Sequence, residues 1–260
     1  MPILSVKNLD KSYISGFNGF KRKYVKALDA ITFDLYAGET LAVVGESGSG
    51  KTTLARILSG AEQCSGGEIW FEEKPLESYS MQKKCSMIRM IFQNAQSSLN
   101  PNIRIGQLLD EPLRFNTQLS SEARQQIIYE TLTTVGLLPE HAAFYPHMVS
   151  SGQRQRISIA RAIMLKPKII VADGALATLD VLVRAQIVTL LKRLQKDLKI
   201  SFVLVSHDLH VVRHVSDRII VLANGKIVET AKTADLFEHP QEEYTRRLLK
   251  EQSVMLERSK

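Results

Sequence analysis

The chain has only two cysteines, Cys64 and Cys85. Two cannot build a disulfide framework or a cysteine-rich metal site, so both read as small apolar residues of a protein kept in a reducing cytoplasm. No apolar run approaches the ~20 residues that a bilayer-crossing helix needs. The opening MPILSVKNLDKSY lacks the basic, apolar and small-residue succession of a secretory leader. The expectation is therefore a soluble chain that reaches a membrane only through a partner. Internal repeats and low-complexity tracts are missing too. With 44% hydrophobic and 23% charged residues over 260 positions, the sequence fits one large domain, or a core with a subdomain. Acidic residues are the minority charge, giving a net +7 and a pI near 9.4. Such a balance suits nucleic acid, an anionic membrane face or a solvated exterior, and charge alone does not choose among them. The densest basic stretch, Lys21, Arg22, Lys23 and Lys26, is interleaved with Phe17, Phe20 and Tyr24. It reads as a solvated loop, with contact to lipid headgroups or RNA as the alternatives.

What is present is more specific. Gly45, Glu46, Ser47, Gly48, Ser49, Gly50, Lys51 and Thr52 read GESGSGKT, after the apolar segment Leu41 to Val44 and before the helix-like Thr53 to Leu58. A strand entering and a helix leaving are the context that a phosphate-cradling loop requires. Its glycines let backbone N–H groups turn toward phosphate oxygens, Lys51 can reach the β- and γ-phosphates, and the Thr52 hydroxyl can hold Mg2+. The ligand class is a nucleoside triphosphate, with Thr53 beginning the helix beside it.

Three short apolar runs, Leu41 to Val44, Ile169 to Ala172 and Phe202 to Val205, have the near-continuous hydrophobicity of strands covered on both faces, and helical segments separate them. That pattern predicts an α/β fold with a mainly parallel core sheet. Leu182 to Leu198 carries Val183, Ile187, Leu190, Leu191, Leu194 and Leu198 on one helical stripe, as a covering helix does. Ile3 to Val6, Ile31 to Leu35 and Glu68 to Phe71 alternate and suggest a smaller antiparallel sheet. Between residues 94 and 165 helices are expected around Ile105 to Leu113, Glu122 to Val135 and Gln153 to Leu165, with Ser120 capping the second and Pro167 stopping the last. A phosphate-bound metal needs a further carboxylate, and Asp173, at the end of Ile169 to Ala172, is where a strand would deliver it.

In chain order, the phosphate loop, Ile91-Phe92-Gln93, Val149-Ser150-Ser151-Gly152-Gln153-Arg154-Gln155-Arg156, Asp173, Ala177-Thr178-Leu179-Asp180 and Val205-Ser206-His207-Asp208 resemble the nucleotide-binding subunit of ABC transporters. The match runs nearly end to end. The resemblance implies one nucleotide-binding domain over 1–260: a core with an antiparallel β subdomain from 1–93 and 166–238, a helical subdomain at 94–165, and a helical tail at 239–260. It implies roles as well: Tyr13 stacking on adenine, with a buried core tyrosine as the rival reading; Gln93 touching metal and attacking water; His207 contacting the γ-phosphate. Ser150, Ser151, Gly152 and Gln153 would face a second ATP held by a partner ATPase subunit, because a helix N-terminus favours an anion. Ser97 to Pro101, Glu111 to Leu113, Tyr145 to Met148 and the tail His239 to Leu249 resemble the peptide-importer branch, which includes Sap-type, dipeptide and oligopeptide systems. Some members hold an iron–sulfur centre near the C-terminus; with no cysteine after Cys85, none is expected here.

Two positions depart from the family pattern. A glutamate that polarises the attacking water directly follows the metal-holding aspartate in the family, whereas this chain has Gly174; either own-site hydrolysis is slow or a neighbour such as His207 suffices. Ser151 stands where the family has glycine. A homodimer would carry both changes in both composite sites, whereas with a different partner ATPase they fall on different sites; a heterodimer whose partner supplies the glutamate is therefore expected. The resemblance further implies two membrane-spanning permease subunits, an extracellular solute-binding protein, no nucleic acid, and a peripheral place on the cytoplasmic face of a bacterial inner membrane. A soluble ABC-type ATPase of a multisubunit enzyme, such as phosphonate-cleaving machinery, and a regulatory ATP-binding module are the competing readings.

Overall fold

The continuous apolar run ending at Val44 becomes β3 (Thr40–Val44), every residue of which is buried, and it lies between two other strands of the same kind. The computed structural model describes residues 1–18, 21–92, 98–176 and 179–257. The chain divides into two compact units, Met1–Ser80 with Ser201–Lys260, and Met81–Ile200. The division falls outside the 94–165 insertion, because the second unit also takes in strands and the covering helix that the sequence reading put with the core.

In the first unit, β8 (Ser201–Val205) and β9 (Arg218–Ala223) flank β3 in parallel, and β10 (Lys226–Lys232) adds antiparallel to β9. A second, antiparallel sheet has the order β2-β1-β4-β5, from β1 (Pro2–Asn18), β2 (Lys21–Tyr36), β4 (Gly66–Phe71) and β5 (Lys74–Pro75). Leu28, Ile31, Phe33 and Leu35 of β2 are buried while Ala30 and Thr32 are exposed, the period-two pattern of a sheet with one covered face. The basic stretch at 21–26 is part of β2 and is not a loop: Lys23 pairs with Gly16, Tyr24 with Ile14 and Lys26 with Ser12. The strand formers Tyr13 and Ile14 pair with Val25 and Tyr24 and extend the ladder there, which outweighs the charge density that suggested an irregular segment.

Helix α1 (Lys51–Leu58) follows the glycine loop after β3. Helices α7 (Leu209–Val215), α8 (Thr233–Glu238) and α9 (Glu243–Glu257) close this unit. Ala42 and Val44 of β3, Ile219 and Val221 of β9, Leu209 and Val212 of α7, Leu236 of α8 and Leu248 of α9 form one buried cluster. Fully burying each of the Val, Leu and Ile side chains contributes roughly 1.5–3 kcal/mol, so the last helix is fastened to the strand that feeds the glycine loop.

In the second unit, β6 (Ile88–Ile91) and β7 (Ile169–Asp173) pair in parallel. Its helices are α2 (Met81–Met87), α3 (Ile105–Asn116), α4 (Ser121–Thr134), α5 (Ser151–Ile163) and α6 (Val181–Leu198). The Ser120 hydroxyl caps α4 by accepting from Ala123 N–H at 3.3 Å. On α6, Ile187, Leu190, Leu191 and Leu194 are buried as the stripe requires. Leu198 is 42% exposed, since it is the last residue of the helix and its neighbour Lys199 turns into the left-handed region.

Candidate nucleotide site

Two glycines fix the shape of the loop between β3 and α1. Gly45 has φ +149°, and a Cβ there would lie 2.1 Å from the Leu222 carbonyl oxygen; Gly50 has φ +105°, and a Cβ would lie 2.5 Å from the Ala27 carbonyl oxygen. Both obstacles are backbone, so no side chain fits without moving a strand. Inside the curl, Ser49 N–H donates to Glu46 O at 3.2 Å and Leu54 N–H to Gly50 O at 2.9 Å. Lys51 arches back over the loop, its ammonium donating to Gly45 O at 2.9 Å, Glu46 O at 2.6 Å and Ser49 Oγ at 3.2 Å. Gly50 brings no side chain to cap α1, and the first turn of α1 contains no acidic residue. A lysine ammonium drawn over the mouth of a glycine curl, above a helix whose first turn carries no acidic residue, fits a triphosphate. Thr52 is exposed on that first turn.

Tyr13 reaches the same helix, its hydroxyl 3.5 Å from Thr53 Oγ1. At 37% exposure it is not a core tyrosine, which removes the rival reading. Lys11 Nζ stands 4.9 Å from the centre of the Tyr13 ring, is paired with Glu62 at 3.0 Å and donates to Gln63 O at 2.7 Å. Burial and then the Glu62 carboxylate hold the Tyr13 phenol above its ordinary value. Burial acts to raise the Glu62 carboxyl, and hydrogen bonds from Tyr13 and Lys11 outweigh it, so that group sits low and stays charged. Sequence reading did not find the Lys11–Glu62 pair, because nothing in local spacing joins residues fifty apart.

His207 stands two residues past the end of β8, after Ser206. Because β8 runs parallel to β3 with Val205 opposite Val43, His207 and the glycine loop leave neighbouring strands at the same end. Asp208 N–H donates to Ser206 Oγ at 3.0 Å and the Asp208 carboxylate accepts from His210 and Val211 N–H, so a tight turn sets the exposed His207. The first unit thus gathers Tyr13, Gly45 to Thr53 and His207.

The second unit holds the rest. Asp173 ends β7 and is 7% exposed. Gly174 follows with φ +58°, in the left-handed region. Ser150 caps α5: its hydroxyl accepts from Gln153 N–H at 3.2 Å while Gln153 Oε1 accepts from Ser150 N–H at 2.9 Å, a reciprocal capping box. The Gln153 amide Nε2 lies 3.2 Å from His141 Nε2, which accepts if His141 Nδ1–H donates to Leu138 O at 3.1 Å. Ser151 is exposed, whereas a Cβ on Gly152 would come within 2.9 Å of Val183 Cγ1 on α6. The close approach in this motif is therefore at Gly152, and Ser151 has room. Gln93 lies outside the described residues.

A glycine cradle at the carboxyl end of a parallel strand, roofed by a lysine and followed by a helix, defines a phosphate-loop nucleotide-binding protein. The chain belongs to the ABC transporter family, whose pattern matches residues 28–177. Over 247 residues it is 43% identical to the SapF protein of Escherichia coli K12, named a putrescine export system ATP-binding protein, covering 95% of this chain and 92% of that one. It is equally similar, over the same shares, to the SapF protein of Salmonella typhimurium LT2, named a peptide transport system ATP-binding protein. It is 44% identical over 252 residues to the dipeptide transport ATP-binding protein DppF of E. coli K12, covering 95% of this chain and 75% of that one. Among solved structures, the ATP-binding cassette MJ0796, a dimer bound to ADP and Pi, superposes with a TM-score of 0.77 at 29% identity over 88% of this chain and 98% of its own. The chain is the ATP-binding subunit of an ABC-type system, and no described helix is long and apolar enough to cross a membrane.

Proposed function

We propose that this subunit powers uptake of peptides at the cytoplasmic face of a bacterial inner membrane. It would do so by closing, with a second and different ATPase subunit, around two ATP molecules and transmitting that closure to two membrane-spanning permease subunits, with an extracellular binding protein delivering the solute. The observation that carries the nucleotide step is Lys51, stationed over Gly45 O and Glu46 O in a loop that only glycine can build. Lys51 and the loop would bind the phosphates and Tyr13 would stack on the base; Thr52, Asp173 and Gln93 are the residues that, by the family resemblance, would hold Mg2+. When bound with the nucleotide, Mg2+ would supply neutralisation of phosphate charge. His207 orients the γ-phosphate. The α5 start, Ser150 to Gln153, presents its N–H groups to the partner's nucleotide.

Gly174 supplies no carboxylate to accept a proton from the attacking water. Own-site cleavage is slow, by about 10²- to 10⁴-fold if no other group substitutes. The partner contributes the more active site. Copurification tests the assignment: two membrane proteins and a second ATPase should come with this chain, whereas soluble enzyme subunits would support the rival reading. One similar relative is named for putrescine export and another for peptide transport, so a specific second reading is polyamine export. Peptide-dependent ATP turnover in proteoliposomes, set against putrescine-dependent turnover, decides between them.

A further inference from the structure

Helix α9 is fastened in two places before it reaches the phosphate loop. Leu248 is 7% exposed within the cluster around Val44 and Val221, and Tyr244 and Leu249 pack on the same cluster. The turn before α9 is held by Glu229 of β10, whose carboxylate accepts from Gln241 N–H at 2.9 Å and Glu242 N–H at 3.1 Å. From this base the Tyr244 hydroxyl accepts the Glu46 N–H at 3.1 Å. Arg247 Nη2 lies 3.2 Å from Glu46 Oε1, and its guanidinium 5.4 Å from the Tyr244 ring.

The N–H of Glu46 and the carbonyl of Gly45 belong to one peptide unit. That unit is planar and trans, so fixing the direction of one group fixes the other. Its N–H points to Tyr244 and its C=O takes the Lys51 ammonium at 2.9 Å. We propose that Tyr244 is a positioning residue of the phosphate loop: by orienting the Gly45–Glu46 peptide, the C-terminal helix sets where Lys51 waits for the triphosphate. Arg247 adds little, since it and Glu46 are 60% and 51% exposed and such pairs are weak. The inference rests on reading Gly45 to Thr52 as the nucleotide loop.

Tyr244→Phe keeps the packed ring and removes only the acceptor. In the purified full chain, Kd for Mg-ATP and for Mg-tripolyphosphate should both rise by about two- to tenfold, the span of one neutral hydrogen bond, because the phosphate grip and not the base contact has changed. Amide exchange across 44–46 should quicken while exchange in α9 and the melting temperature stay as in the unaltered chain. Wild-type affinity and loop exchange in Tyr244→Phe would overturn the proposal, whether or not the melting temperature falls, provided Lys51→Ala loses ATP binding. If Lys51→Ala binds ATP as tightly as the unaltered chain, the nucleotide reading itself fails, and the role of Tyr244 with it.

Discussion

Restoring a carboxylate at Gly174 sets two effects of known size against each other. A positioned general base contributes about 10²- to 10⁴-fold, which at ~1.4 kcal/mol per decade is roughly 3–5.5 kcal/mol of barrier. Gly174 has φ +58°, where a residue with a Cβ pays about 1–2 kcal/mol. If the backbone keeps that conformation, Gly174→Glu lowers folding stability by this amount and gains the base. If it relaxes to a right-handed conformation, stability is recovered but the carboxylate moves off the attacking water. Gly174→Ala separates the cases, since it carries the same strain without the carboxyl. Single-turnover hydrolysis of radiolabelled Mg-ATP by the chain with its partner ATPase, alongside urea unfolding of each variant, reads both terms. The expected result is an equal stability loss of about 1–2 kcal/mol in both variants and at least tenfold faster cleavage in Gly174→Glu than in Gly174→Ala. Equal rates in the two variants at equal stability loss, or family-like turnover by the unaltered chain alone, would refute the missing-base reasoning.

Tyr13→Ala should weaken Mg-ATP binding by roughly 1–3 kcal/mol, the worth of a base–aromatic stack, and leave Mg-tripolyphosphate binding unchanged in parallel calorimetric titrations. Gly45→Ala, which drives a Cβ against the Leu222 carbonyl, should abolish detectable ATP binding and lower the melting temperature. Gly152→Ala should destabilise by about 1–3 kcal/mol in urea unfolding through overpacking on Val183, whereas the exposed Ser151→Gly should change stability by about 1 kcal/mol or less. For pH, burial acts to raise the Glu229 carboxyl, and hydrogen bonds from the start of the last helix outweigh it, leaving its folded value low. A depressed carboxyl stabilises above its unfolded value of about 4.3 and loses that contribution as pH falls through the folded value. The stability gap between the unaltered chain and Glu229→Gln should therefore be full at neutral pH and close in acid, as followed by thermal melts.

Local chemistry was legible in the sequence wherever one short segment determines it. GESGSGKT between an apolar strand and a helix specified both the curl of the loop and the position of Lys51, because glycine placement and the strand–helix context are written in consecutive residues. Ser120 announced its helix start in the same way, with a hydroxyl that accepts the N–H three residues on, whereas the matching cap at Ser150 was marked only by the family likeness. The basic hairpin misled, since charge density argued for an irregular loop while the strand formers Tyr13, Ile14, Tyr24 and Val25 face one another across a ladder that only the pairing reveals. Gly174 was legible as a missing carboxylate but not as a left-handed residue; identity says what a side chain cannot do, and φ is set by how β7 leaves the sheet. The contact of Tyr244 with Glu46 spans almost two hundred residues and has no local signature at all. The tail showed only as a family likeness. Its physical role emerges once Leu248 is seen buried beside Val44, because a helix packed on the strand that feeds the loop can reach that loop with the turn before, where Tyr244 sits.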